Sequence, residues 1–149
     1  MTRKEGVRPA NSAELPRLRD VINAAYGRYL GRMERPPAPM SHDLAPDIDQ
    51  GRVWVIGEPA AGLITLISDG DCILIENVAV HPEAQGLGIG RILMAFADDR
   101  ARELGISTLR LYTNEAMVEN LEIYAHFGYR EVDRRTEDGF RRVFLEKTL

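Results

Sequence analysis

Cysteine is almost missing from this chain. Cys72 is the one cysteine among 149 residues, which excludes an internal disulfide and any paired-cysteine metal or redox motif. The lack of a disulfide framework fits a reducing compartment. No apolar run approaches the ~20 residues that cross a bilayer, and Met1 to Arg8 is polar, without an apolar signal segment. A basic excess is also missing. Lys and Arg number 19 against 23 Asp and Glu, for a net charge of -4, whereas a dedicated nucleic-acid binder usually carries the opposite balance. Internal repeats and low-complexity blocks are absent as well. The expectation left standing is a soluble cytoplasmic protein with no nucleic-acid and no membrane partner. With 44% hydrophobic and 28% charged residues, the composition is that of a globular protein and not of a disordered one. The length suits a single domain over residues 1–149.

What is present reads as alternating strands and helices. Arg3 to Val7 is a candidate first strand, followed by Asn11 or Ser12 at a helix N-cap. Leu15, Leu18, Val21, Ile22, Ala25, Tyr26, Tyr29 and Leu30 then fall on one helical face, with Gly31 as the stop. Arg32 to Gln50 holds Pro36, Pro37, Pro39 and Pro46 and reads as a structured loop with a short helix around Asp43 to Asp49. Val53 to Ile56, Leu63 to Ile67 and Cys72 to Val80 are three successive strands. Ile92, Leu93, Phe96, Ala97, Arg100, Ala101 and Leu104 outline a second amphipathic helix, closed by Gly105 at C′. Thr108 to Tyr112 is a strand, and Asn114 is placed to cap a helix through Phe127 with Gly128 beyond it. Tyr129 to Arg135 and Phe140 to Glu146 flank Asp138-Gly139, a hairpin turn signal. Three strands without an intervening helix exclude a purely doubly wound sheet. The strand–helix–strand unit from Cys72 to Tyr112 requires a parallel pair. The expected fold class is α/β, a mixed central sheet of about six to seven strands flanked by helices.

The sharpest local feature runs from Val78 to Arg91: a strand, a His81-Pro82 turn, a glycine-rich loop and a helix. A helix N-terminus leaves N–H groups unpaired and carries partial positive charge. Glycines there let backbone approach an anion, so the segment suits a phosphate or pyrophosphate. A plain strand-to-helix turn is the simpler alternative. A P-loop needs a lysine that does not follow these glycines. A dinucleotide fingerprint needs G-x-G-x-x-G, but Gly86, Gly88 and Gly90 are spaced G-x-G-x-G, with no well-placed acidic residue at Thr108 to Tyr112. No Gly-x-Ser-x-Gly occurs. His42, His81 and His126 are scattered, and no pair has a metal-ligand spacing.

Gln85-x-x-Gly88-x-Gly90, preceded by Glu76 to Pro82, resembles the acyl-CoA-binding motif of the GNAT N-acetyltransferases, Arg/Gln-x-x-Gly-x-Gly/Ala. Tyr124 to Tyr129 is similar to that family's Tyr-x-x-x-Gly-Phe/Tyr motif. The likeness runs from about Val53 to Phe144 and implies a GNAT-like acyl-CoA N-acyltransferase fold.

The resemblance implies acetyl-CoA as acetyl donor, no metal, and a primary amine of a small molecule or an exposed protein amine as acceptor. Family members are often dimers, so a homodimer is one implied arrangement. Pyrophosphate would sit on Gln85, Gly86, Leu87, Gly88, Ile89, Gly90 and Arg91, and the pantetheine amides would pair with Val78, Ala79 and Val80. Tyr124 stands where the family's acid tyrosine stands, and a phenol keeps its proton at neutral pH; the alternative is a helix residue packed on the sheet. Glu76 is the base candidate, since burial raises a carboxyl toward a useful range; the alternative is a carboxylate satisfied by a hydrogen bond. Met117 occupies a position that is asparagine in many members; Asn120, one turn before Tyr124, and Asn114, at the expected helix cap, are the two candidates to replace that contact. The acceptor site is assigned to Tyr26, Tyr29, Arg32 and Met40, beside Met33 and Pro37, with Arg32 placed to grip a carboxylate. Tyr26 and Tyr29 are equally placed to be core. Two rival readings remain: an acyl-CoA-binding sensor or partner module without turnover, and a nucleotide binder preferring NAD or ATP.

Overall fold

The computed structural model describes residues 6–33 and 35–149. Its strands are β1 (Val7–Pro9), β2 (Val53–Ile56), β3 (Gly62–Asp69), β4 (Cys72–Val80), β5 (Thr108–Asn114), β6 (Arg130–Glu137) and β7 (Phe140–Thr148). Its helices are α1 (Leu15–Tyr26), α2 (Ala45–Asp49), α3 (Ile89–Glu103) and α4 (Val118–His126). All seven strands form one sheet in the order β1-β2-β3-β4-β5-β7-β6. β4 and β5 are parallel and every other neighbouring pair is antiparallel. This is the mixed, helix-flanked sheet that the sequence implies.

Alternation along the strands divides the core between the two faces. Leu63 joins Val53, Val55 and Ala79 under α1, where Leu18, Val21 and Ile22 are fully buried. Its neighbour Ile64 joins Ile73, Ile75 and Leu109 under α3, against Leu93, Phe96 and Ala97. Gly62 permits this packing at the start of α3: a Cβ there would come within 2.8 Å of Ile89 Cγ2.

Two irregularities of the sheet shape the site. First, Thr65 faces Asn77 while Leu66 faces Ile75, so Glu76 is an extra residue on β4, a β-bulge. The bulge inverts the alternation. Ile73 and Ile75 pack toward α3, whereas beyond the bulge Val78 and Val80 pack toward α3 and Ala79 lies under α1. Second, β4 and β5 pair only from Cys72 to Ile75 and Thr108 to Leu111. Beyond that point the two strands are no longer partners. β4 continues against β3 to Val80, and β5 continues against β7 to Asn114. The parallel pair therefore opens into a fork.

Several element ends differ from the sequence reading. α1 stops at Tyr26, and a 3-10 turn (Gly27–Tyr29) follows, because Gly27 is a poor helix interior residue. β1 begins at Val7; the rest of the expected first strand lies outside the described residues as far as residue 5. Asn114 does not cap a helix: it ends β5, its side chain accepts from the Ala116 N–H at 2.9 Å, and α4 starts only at Val118. Asp138 and Gly139 both take positive φ (53° and 81°) in the β6–β7 turn, as the hairpin signal requires.

Candidate active site

Two cavities flank the fork. The first, of about 510 Å³, lies between α1, α4 and the β4–α3 loop. Val78, Ala79, Val80, Gln85, Gly86, Gly88, Ile89, Gly90, Arg91 and Asn120 all line it. Ala79 packs its methyl under α1, so main chain is what it has to offer the cleft. The open end of α3 points here: Gly88 sits at its N-cap, no side chain caps it, and the first intrahelical bond is Ile92 N–H to Gly88 O at 3.0 Å. The N–H groups of the preceding turn are thus left to an anion. Gly86 and Gly88 have φ of +87° and +80°, a region that β-carbons disfavour. Gly90 has ordinary φ, and a Cβ there would meet only Val80 Cγ2, at 3.9 Å. Leu87 departs from the sequence expectation. The turn formed by the glycines directs it to solvent, 72% exposed, and it does not line the cleft.

The second cavity, of about 460 Å³, lies between the proline-rich loop and the open ends of β4, β5 and β7. The β4 bulge brings Glu76 and Asn77 both onto its wall. Asn77 is buried and accepts from the Tyr26 hydroxyl at 2.9 Å, while that hydroxyl also lies 3.2 Å from Val78 O. Glu76 faces His42, with Oε1 3.6 Å from Nε2. His42 Nε2 is in turn 2.8 Å from Asp47 Oδ2, and Arg52 approaches the other Asp47 oxygen at 3.6 Å. Burial pushes the Glu76 carboxyl above its ordinary value, and the Asp47 charge adds to this; His42 and Arg52 oppose it. The donor atoms of His42, Asp47 and Glu76 lie within 4.8 Å of one another, close enough to share a cation. Histidines that looked isolated along the chain thus include one that folding places beside two carboxylates. The loop carrying His42 is stapled by Arg19 of α1, which donates to the carbonyls of Pro39, Met40 and His42.

Tyr26, Val78, Asn120 and Tyr124 line both cavities and form the passage between them. Tyr124 is 8% exposed. Its hydroxyl makes no hydrogen bond among the described residues, and its ring stacks edge-on against Tyr129 at 6.2 Å. Burial above all, with a contribution from Tyr29, holds its phenol well above the usual range, so it stays protonated at neutral pH. Asn120 accepts from the Tyr29 hydroxyl at 3.3 Å and donates to Met117 Sδ at 3.6 Å. Met117 is buried, and its sulfur also receives the Thr113 hydroxyl at 3.5 Å.

Three residues assigned to the acceptor site from sequence lie elsewhere. Tyr29 lines the first cleft, buried beneath the guanidinium groups of Arg28 and Arg32. Arg32 lines neither cavity and pairs at 2.9 Å with Glu119 of α4, which Arg28 also reaches. Met40 packs against the core under α1, while Met33 and Pro37 do line the second cavity. Tyr26 is both core and wall. The structure adds His42, Asp47, Arg35, Tyr112 and Phe140 to the residues around the second cavity. None has a sequence-local partner that marks it; the fork and the bulge bring them together.

Comparison with known proteins gives this arrangement its class. Residues 49–131 match the model of the acetyltransferase (GNAT) domain. That is over half of the chain, and the protein belongs to this family. The uncharacterized N-acetyltransferase YvbK of Bacillus subtilis (strain 168) is 29% identical over 77 residues, 52% of this chain; the match spans only half, 50%, of that relative's length. Among solved structures, the PaiA N-acetyltransferase of Thermoplasma acidophilum in complex with coenzyme A superposes with a TM-score of 0.81 at 17% identity, over 96% of this chain and 98% of that one. A GNAT acetyltransferase from Elizabethkingia anophelis with acetyl-CoA bound gives 0.71 at 18% identity, over 96% and 97%. At such identities the likeness is one of fold. It makes the seven-stranded sheet with its open β4–β5 fork a GNAT acyl-CoA N-acyltransferase fold. No described helix is long and apolar enough to cross a membrane.

Proposed function

We propose that the protein transfers the acetyl group of acetyl-CoA to a primary amine by direct attack of the amine on the thioester. The observation that carries this reading is the fork. β4 and β5 part beyond Ile75 and Leu111, and two cavities meet there at Tyr26, Val78, Asn120 and Tyr124. Donor and acceptor each have a cavity, and the passage is where their reacting atoms would meet.

In this reading the pyrophosphate of acetyl-CoA rests on the Gln85-to-Arg91 loop and the open N-terminus of α3, and pantetheine amides pair with the unoccupied edge of β4. The acceptor amine occupies the second cavity beside Glu76. Its nitrogen forms the new C–N bond as the C–S bond breaks. The amine's proton passes to the Glu76 carboxylate, directly or through water, and the leaving thiolate takes the Tyr124 proton. Both environments support these roles: burial raises Glu76 toward the pH at which a base works, and keeps Tyr124 protonated. Asn120, held by Tyr29 and Met117, stands at the passage as a cofactor contact.

The test is Tyr124→Phe, read by CoA thiol release with an amine acceptor and by calorimetry with acetyl-CoA. The expected result is a loss of kcat on the order of 100-fold or more with unchanged acetyl-CoA affinity. Full activity in the variant would remove Tyr124 from the acid role. Wild-type protein that binds acetyl-CoA but acetylates no amine would instead establish the sensor module.

A further inference from the structure

The second cavity has two electrical poles. At one pole stands Glu76, with His42 and Asp47 behind it. At the other, two guanidinium groups share one aromatic ring. Arg35 lies over Phe140 at 4.7 Å, and Arg142 lies 5.6 Å from the same ring and 4.5 Å from that of Tyr112. Arg142 is neutralised by Glu137 at 3.1 Å, with Asp138 at 3.9 Å. Arg35 has no carboxylate partner among the described residues. It is nevertheless seated. Its guanidinium fills the space beside Gly139 that a β-carbon would need, on the tip of the β6–β7 hairpin.

A cation that shares an aromatic ring with a second cation, on a cavity wall and with no carboxylate partner among the described residues, is poised to bind an anion. Guanidinium suits this task because its planar donors match carboxylate and phosphate geometry. The sequence places such a grip at Arg32, but Glu119 occupies that residue; Arg35, three positions on, faces the cavity instead. Resting on the acetyl-transfer reading above, we infer that the acceptor is an amine that also carries an anionic group, a carboxylate or phosphonate. Its amine is set beside Glu76 and its anion on Arg35. Met33, Pro36 and Pro37 supply an apolar wall for the carbon skeleton between them. Arg35 is therefore a specificity-determining residue and takes no part in the bond changes.

The experiment compares matched acceptors: ω-amino acids from glycine to 6-aminohexanoate, leucine and phenylalanine, aminoalkylphosphonates, and the corresponding amines lacking the anionic group. The expected result is at least one anionic acceptor preferred over its counterpart by about tenfold or more in kcat/KM. Arg35→Gln abolishes that preference through KM, and Arg35→Lys, which keeps the charge without the planar fork, retains part of it. Equal or reversed ratios across the panel, or a preference untouched by Arg35→Gln, would overturn the inference while leaving acetyl transfer intact. Calorimetric binding of the same pairs, with and without CoA present, reads the cavity without turnover. Anion-dependent binding that is lost in Arg35→Gln supports the inference, and its absence overturns it. Such binding in folded protein that does not bind acetyl-CoA would sink the transferase reading and leave the anion site standing.

Discussion

Tyr26 on α1 donates its hydroxyl to the side-chain oxygen of Asn77 at 2.9 Å, and so ties the first helix to the bulge that brings Glu76 onto the wall of the second cavity. Both residues are buried. This cross-element bond joins α1 to the strand residue that follows Glu76. Tyr26→Phe leaves Asn77 with a buried, unpaired oxygen. The expected cost is about 1–3 kcal/mol of stability in urea unfolding, together with a fall in kcat as Glu76 loses its setting. A variant with wild-type stability and rate would show that the bulge stands without this bond.

Arg19 tests the proposed acceptor site from a distance. Among the described residues its side-chain hydrogen bonds go to carbonyls of the loop that carries His42. Arg19→Ala is expected to raise the acceptor KM about three- to tenfold while acetyl-CoA affinity, measured by calorimetry, is unchanged. A parallel loss of acetyl-CoA affinity would mean that the loop supports the whole fold and not the acceptor cavity alone.

The raised carboxyl of Glu76 makes a prediction about stability against pH. A carboxyl whose folded pKa is raised binds its proton more tightly in the folded state. It costs nothing while pH lies below the ordinary carboxylate value of about 4.3, and it destabilises as pH rises through the raised value. Glu76→Gln is therefore expected to melt above wild type at pH 8, with the gap closing as pH falls toward 4. Its kcat should fall by about 100-fold or more. A melting difference independent of pH would show that Glu76 is not shifted in the direction its burial implies.

The glycines of the loop are not equivalent. Gly88→Ala places a β-carbon at φ +80°, at a cost of roughly 1–2 kcal/mol, and disturbs the N–H groups at the start of α3. Acetyl-CoA affinity should drop by about tenfold. Gly90→Ala meets only ordinary contact with Val80, so affinity should stay within about twofold, and the better helix propensity should add a little stability. Calorimetry on both variants distinguishes a cradle made by backbone conformation from a turn that merely needs small residues.

Much of the fold was legible in the sequence because its signals are local. Strand alternation in Thr108 to Tyr112, glycine at the C′ positions Gly105 and Gly128, and the Asp138-Gly139 turn each act within a few residues. The loop from Gln85 to Arg91 was readable for the same reason. The second cavity was less so. The bulge at Glu76 arises from a register between Thr65 and Asn77 that no single strand encodes. Arg32 was misplaced because its partner, Glu119, lies on a helix remote in sequence. His42, Asp47 and Glu76 come from a loop, a short helix and a strand, with no common spacing to betray them. Asn114 looked like a cap because an Asx turn and an N-cap use the same side-chain chemistry.

The measurement that tests the account most directly is a calorimetric titration of the folded protein with acetyl-CoA, with NAD and ATP as controls. One equivalent of acetyl-CoA bound, with NAD and ATP failing to compete, is the predicted result. Protein that folds but binds no acetyl-CoA, or binds NAD or ATP as well, would contradict the assignment of the fork and the α3 N-terminus to an acyl-CoA donor.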